Sequence, residues 1–140
     1  MLSQKAQYTF RALTLLVKEF GKGPVLISTI AVQKKIPIKF LEHILLHLKK
    51  AGILESKKGK GGGYYILKKP SEISIASVIR IIDGPIAMLP CVSLYFYQKC
   101  LNCDEQNCGL HDIMKKVRDA TLKILEHKTL QDLKSGNENI

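Results

Sequence analysis

Apolar residues recur through the first fifty positions at the three- and four-residue steps of helices that bury one face. Ala6, Phe10, Leu13, Val17 and Phe20 mark such a stripe over 4–20, and Gly21-Lys22-Gly23-Pro24 stops it. A short second helix is expected from Ser28, whose hydroxyl would cap the free amides of the first turn, to about Lys35. Pro37 stands where a third helix starts and a missing N–H costs nothing. Its stripe is Ile38, Leu41, Ile44, Leu45 and Leu48, and Ala51-Gly52 ends it after Lys50. Two short strands follow over 53–56 and 64–67. Ser74 is placed to cap a helix over 74–83, with Ile75, Val78, Ile79 and Ile82 on one face and Asp83-Gly84-Pro85 as its stop. A long helix over about 110–127 carries Leu110, Ile113, Met114, Val117, Thr121, Ile124 and Leu125 at steps of three and four. That spacing suits a seam against a second helix. A second copy of the chain is the expected partner, because symmetric dimers are the commonest assembly. Packing back on its own domain is the alternative.

The second and third helices, joined by a short turn, form a helix-turn-helix arrangement whose second member enters the major groove of DNA. Lys39, Glu42 and His43 lie off its apolar stripe in the early turns, and Phe40 beside them is expected either to meet DNA or to pack. Glu42 and His43 are the expected base readers, since a carboxylate accepts from cytosine N4; the helix dipole alone would also favour Glu42 there. Ser28, Lys34 and Lys35 flank them. The strands enclose Lys57-Lys58-Gly59-Lys60-Gly61-Gly62-Gly63, a tip with the makeup of a DNA-binding wing. Lysines such as Lys57, Lys58 and Lys60 supply charge, and glycines such as Gly61 and Gly62 let backbone approach phosphate. The fold class expected is mainly α with a small β wing. It comprises a winged helix-turn-helix domain over 1–84, a cysteine-rich cofactor or sensor loop over 85–109, a dimerisation helix over 110–133 and a frayed tail over 134–140.

Charge agrees with this division. The chain of 140 residues has a net charge of +10. Residues 1–70 hold 14 Lys+Arg against 3 acidic residues, whereas residues 71–140 hold 8 against 9. A basic excess confined to one half is the footprint of a nucleic-acid face. No apolar run approaches a membrane span. The opening residues lack the apolar core of a signal peptide, so a cytoplasmic location with reduced thiols is expected.

All four cysteines fall in one stretch, Cys91, Cys100, Cys103 and Cys108, with His111 beside them at the spacing C-x8-C-x2-C-x4-C-x2-H. Thiolates are the usual ligands of iron–sulfur clusters, and imidazole replaces one in some. Tetrahedral zinc accepts the same donors. Cys100 and Cys103 also form a C-x-x-C pair suited to a thiol switch. Five candidate ligands stand for about four positions. His111 is equally readable as an ordinary helix-surface residue.

The chain resembles the Rrf family of winged-helix transcriptional regulators, the relatives of IscR, NsrR and CymR. The resemblance rests on Ser3-Gln4-Lys5-Ala6-Gln7-Tyr8 with Arg11-Ala12-Leu13, and on Ile36-Pro37-Ile38-Lys39-Phe40-Leu41-Glu42-His43-Ile44-Leu45. Ala51-Gly52-Ile53-Leu54, Gly61-Gly62-Gly63-Tyr64, Ile82-Asp83-Gly84-Pro85 and Thr129-Leu130-Gln131-Asp132-Leu133 extend it from Leu2 to about Leu133. It implies a homodimer on a palindromic operator in double-stranded DNA, formed by crossing of the long helices. It also implies that the cysteine block can hold an iron–sulfur cluster, 2Fe-2S or 4Fe-4S, and Cys108-Gly109-Leu110-His111 resembles the Cys-x-x-His end of such a site. Two positions depart from the family pattern. Lys58 stands where a wing arginine is common, and His43 where a glutamine is common. The expected function is a DNA-binding regulator, a repressor, controlled by the cluster or by cysteine redox state. A cofactor-free or zinc-bearing regulator acting through thiols or a partner protein is the alternative. An enzyme, in the form of a small thiol oxidoreductase, is disfavoured, since the strand–helix setting around C-x-x-C and a paired acid and base are missing.

Overall fold

The computed structural model describes residues 1–135, and positions 136–140 of the expected tail lie outside them. Ser3 begins the first helix, α1 (Gln4–Lys18), by accepting the Ala6 N–H at 3.0 Å. Its own N–H donates to an Asp83 carboxylate oxygen at 3.0 Å and its hydroxyl donates to the other, which pins the start of α1 to the far end of a later helix. Ala6, Leu13 and Val17 are buried as their spacing requires, while Phe20 lies past the helix end and is exposed.

The second helix, α2 (Ile27–Lys34), does not start at a Ser28 cap. Leu26 holds the cap position with no side-chain bond, and Ser28 is an exposed residue of the first turn. The reason is a contact distant in sequence. Val25 exchanges two backbone hydrogen bonds of 2.8 Å with Tyr64, so the extended chain ends there and the helix starts earlier. Lys35 closes α2 in the left-handed conformation at φ 54°. The chain then turns into α3 (Ile38–Lys50), where Leu41, Ile44, Leu45 and Leu48 are fully buried. Ile38, expected on that stripe, is 44% exposed. As the first residue of the helix it precedes the turn that meets the core.

Strands β1 (Leu54–Lys57) and β2 (Gly63–Ile66) pair antiparallel, with Leu54 opposite Ile66 and Lys57 opposite Gly63. Val25 bridges the other edge of β2. Ser74 caps α4 (Ile75–Ile82) by accepting the Ser77 N–H at 3.1 Å. After short 3-10 turns comes α5 (Gly109–Leu125), shorter than the expected helix.

A separate 3-10 segment, Leu130–Ser135, returns the chain to the core. Leu130 donates its N–H to Ile73 at 2.9 Å, and Ile75 donates to Lys128 at 2.8 Å. The Leu130 side chain is fully buried in one cluster with Leu13, Leu16, Leu41, Leu45 and Ile73. The helix expected over 110–133 therefore stops at Leu125, because the residues that follow turn back to complete the core of the 1–84 unit. Among the described residues no helix is long and apolar enough to cross a membrane.

Candidate nucleic-acid interface and cysteine site

Helix α3 divides its residues by face. Its buried leucines and Ile44 lock it onto α1 and α2, and Lys39, Phe40, Glu42 and His43 remain exposed on the other side. Phe40 packs edge-on against Tyr8 of α1, with ring centroids 5.4 Å apart. Lys35 is exposed at the turn before α3 and Lys34 is half-buried. His47, one turn further along α3, faces back toward α1, where Lys5 Nζ lies 3.0 Å from its Nδ1. Burial holds the His47 pKa below its ordinary 6.5, with Lys5, His43 and Lys50 adding to the shift.

At the wing tip Lys57, Lys58, Lys60 and Gly61 are exposed. Gly62 is buried, so it is not a free point of approach for phosphate. A Cβ on Gly62 would collide with the carbonyl oxygens of Lys57 and Gly59. One on Gly63 would collide with Val25. These two glycines shape the hairpin and seat it against the chain before α2. Lys49 donates to Ser56 at 2.6 Å and so ties the end of α3 to the wing.

Three of the five candidate cofactor ligands come together at the start of α5. Cys108 is the N-cap residue, and its Sγ accepts the His111 N–H at 3.4 Å. The imidazole Nδ1 of His111 lies 3.5 Å from Cys91 Sγ. All three are half-buried, and both thiols are free. Cys100 and Cys103 are joined to each other in a disulfide, with Cα atoms 5.8 Å apart. The Cys91 thiol thus meets the imidazole of His111, whereas the Cys108 thiol meets only its backbone N–H. Among the described residues, no three histidine, cysteine or acidic side chains surround one point as a metal requires. The donor chemistry of Cys91, Cys108 and His111 suits a soft metal or an iron–sulfur cluster.

Residues the spacing did not single out organise this region. Glu105 accepts the Tyr97 hydroxyl through both oxygens, at 2.9 and 2.8 Å, and the Cys100 N–H at 3.2 Å. The Tyr97 hydroxyl, then the Cys100 N–H, hold the Glu105 pKa below the usual carboxylate range. Arg118 of α5 donates to the Val92 carbonyl at 2.8 Å, one residue from Cys91. Arg80 of α4 pairs with Glu126 at 2.7 Å and lies 4.5 Å from the centre of the Tyr95 ring. The loop is therefore fastened to both α4 and α5. Only long-range structure places these partners, although a glutamate between cysteines was a visible cue.

On α5 the expected seam splits. Leu122, which the seam omitted, is the residue of α5 that is buried within the chain itself. Leu110, Ile113, Val117 and Ile124 are exposed, and Met114, Thr121 and Leu125 are half-buried. Val117, Thr121 and Leu125 border an open cavity of about 610 Å³ walled by Met1, Leu2 and Ile86.

Comparison with known proteins decides the family. Residues 2–136 match the family model Rrf2, described as an iron-dependent transcriptional regulator. The chain belongs to the Rrf2 family. A Rhodobacter capsulatus protein named as an rrf2-like HTH-type transcriptional regulator is 42% identical over 98% of this chain and 95% of its own. Among solved Rrf2-like structures, CymR, the global cysteine regulator of B. subtilis, superposes with a TM-score of 0.82 at 26% identity, covering 99% of this chain and 98% of that one. IscR of T. potens superposes at 0.77 and 27% identity, covering 99% and 89%. The resemblance read from the motifs and the winged-helix fold class are both borne out. The chain is a transcriptional regulator, and its homologues are named as regulators rather than enzymes.

Proposed function

We propose that this Rrf2-family regulator is a cytoplasmic repressor that binds a palindromic operator as a homodimer and is controlled through its cysteine site. The observation that carries the control is the meeting of Cys91, Cys108 and His111 at the first turn of α5. These three residues, with Cys100 or Cys103 once their bond is reduced, would hold an iron–sulfur cluster. Such a cluster supplies a redox-active, charged group whose potential depends on its ligands. The chain's own residues link that site to DNA. Val92 carries any displacement of Cys91 to Arg118 on α5, and the chain beyond α5 brings Leu130 under α1 and α3. A shift of α5 would re-aim the two recognition helices, which a palindrome needs one helical turn, about 34 Å, apart. The exposed apolar residues of α5, continuous with the cavity beside Met1 and Leu2, support the dimer.

Exposed Lys39, Lys57, Lys58 and Lys60 would position the protein on phosphates, while Glu42 and His43 read bases. The Cys100–Cys103 disulfide favours a second reading, in which that pair is itself a thiol switch and no metal is held. Anaerobic purification with a visible spectrum and iron, sulfide and zinc assays separates the two. Matched iron and sulfide, lost in Cys108→Ala, support the cluster. Zinc alone makes the site structural. A colourless, metal-free protein whose DNA affinity follows the Cys100–Cys103 redox state establishes the thiol reading instead.

A further inference from the structure

Helix α1 carries a polar constellation that the helix-turn-helix and wing do not account for. Arg11 is exposed, and among the described residues no carboxylate pairs with it. Its guanidinium lies 5.3 Å from the centre of the Tyr8 ring. Tyr8 in turn meets Phe40, the third residue of α3, edge-on at 5.4 Å. These two steps place the arginine charge no more than about 11 Å from the Phe40 ring. The major groove is about 12 Å wide. A cation within that reach of a helix lying in the groove can meet the phosphates that border it.

Two further bonds prepare the group. Gln4 Nε2 donates to the Tyr8 hydroxyl at 3.0 Å, so the oxygen accepts from within α1 and the hydroxyl keeps its own proton to donate. Lys5, on the same helix, points instead at His47. Arg11 is thus the cation of α1 that is stacked, exposed and next to the recognition helix. A guanidinium resting on a ring loses less freedom on meeting a phosphate than a free lysine does.

We propose that Arg11 and the Tyr8 hydroxyl form a phosphate clamp on α1 that grips the DNA backbone alongside the recognition helix. The inference rests on the DNA-binding reading above and adds a contact outside the helix-turn-helix and wing. Each phosphate neutralised steepens the fall of log affinity with log salt by about 0.9. A dimer carries two such arginines, so Arg11→Met should make that slope shallower by about 1.8.

The test is a salt titration of intact protein against two duplexes, one enriched by the protein from a random-sequence pool and one scrambled. Lys115→Met, an exposed lysine on α5, serves as the control for net charge. The clamp requires wild type to lose about tenfold more affinity than Arg11→Met between 50 and 200 mM salt, on both duplexes. It further requires Arg11→Lys to keep most of the slope and Lys115→Met to match wild type. Equal slopes for Arg11→Met and wild type, with wild-type binding intact, overturn the clamp alone. An equal change in Lys115→Met also overturns it, since bulk charge then explains the effect. Failure of wild type to bind either duplex overturns the DNA-binding reading itself, and the clamp with it.

Discussion

Alanine at Gly62 should damage the wing more than alanine at its neighbour Gly61, although Gly61 has the rarer backbone. Gly61 sits at φ +75°, and a Cβ there meets nothing within 4 Å. Its substitution costs only the left-handed conformation, about 1 kcal/mol. Gly62 has no such backbone restriction, but a Cβ there runs into the carbonyl oxygens of Lys57 and Gly59. Those are backbone atoms, so the hairpin must open. Its Gly62 N–H to Gly59 bond of 3.0 Å is lost, at about 1 kcal/mol. The displaced strand ends around Lys57 and Gly63 add about 1–3 kcal/mol of strain. The total is about 2–4 kcal/mol. Because Leu54 and Ile66 of the same hairpin are core residues, the loss should reach global stability. Urea unfolding followed by far-UV circular dichroism reads it. With a slope of about 2 kcal/mol per molar, the midpoint should fall by about 1–2 M for Gly62→Ala and about 0.5 M for Gly61→Ala. A Gly61 effect equal to or larger than the Gly62 effect would refute this account of the tip.

Leu130→Ala should cost about 2–5 kcal/mol, as a fully buried leucine does, and lower the melting temperature by about 10 °C; a loss under about 1 kcal/mol would mean that the closing segment is not part of the core. The lowered pKa of His47 means that the unfolded chain takes up its proton first as pH falls. Stability should therefore hold above about pH 6.5 and decline below it, and His47→Gln should flatten that decline in a pH series of unfolding midpoints. Ile113→Glu on the exposed face of α5 should convert a dimer to a folded monomer in sedimentation velocity, with helix content kept.

Where neighbours in sequence decide the structure, the pattern was readable. The α3 residues Leu41, Ile44, Leu45 and Leu48, the Ser74 cap and the two strands all lie within one residue of their expected places. Misplaced features depend on distant segments. Ser28 looked like a cap because nothing near it reveals that Val25 pairs with Tyr64. Gly62 looked like a surface for phosphate because its contact with Lys57 exists only once the hairpin closes. The cysteine spacing identified the donors but not how they divide, since Cys91 reaches His111 across a loop folded by Glu105 and Arg118. Leu122 and Leu130 were legible as apolar, but which face each served was set by packing.

The burial of Leu130 beside Leu13 also bears on the order in which the protein is made. These leucines are separated by most of the chain, so their contact closes late and at a high entropic cost. During synthesis the recognition helix and wing emerge well before Leu130 exists. Their core stays open until the cysteine loop and α5 have followed. A nascent or prematurely ended chain therefore lacks one buried leucine of the core beneath its recognition helix. The last contact of that core thus forms only after the cysteine loop and α5 have been made.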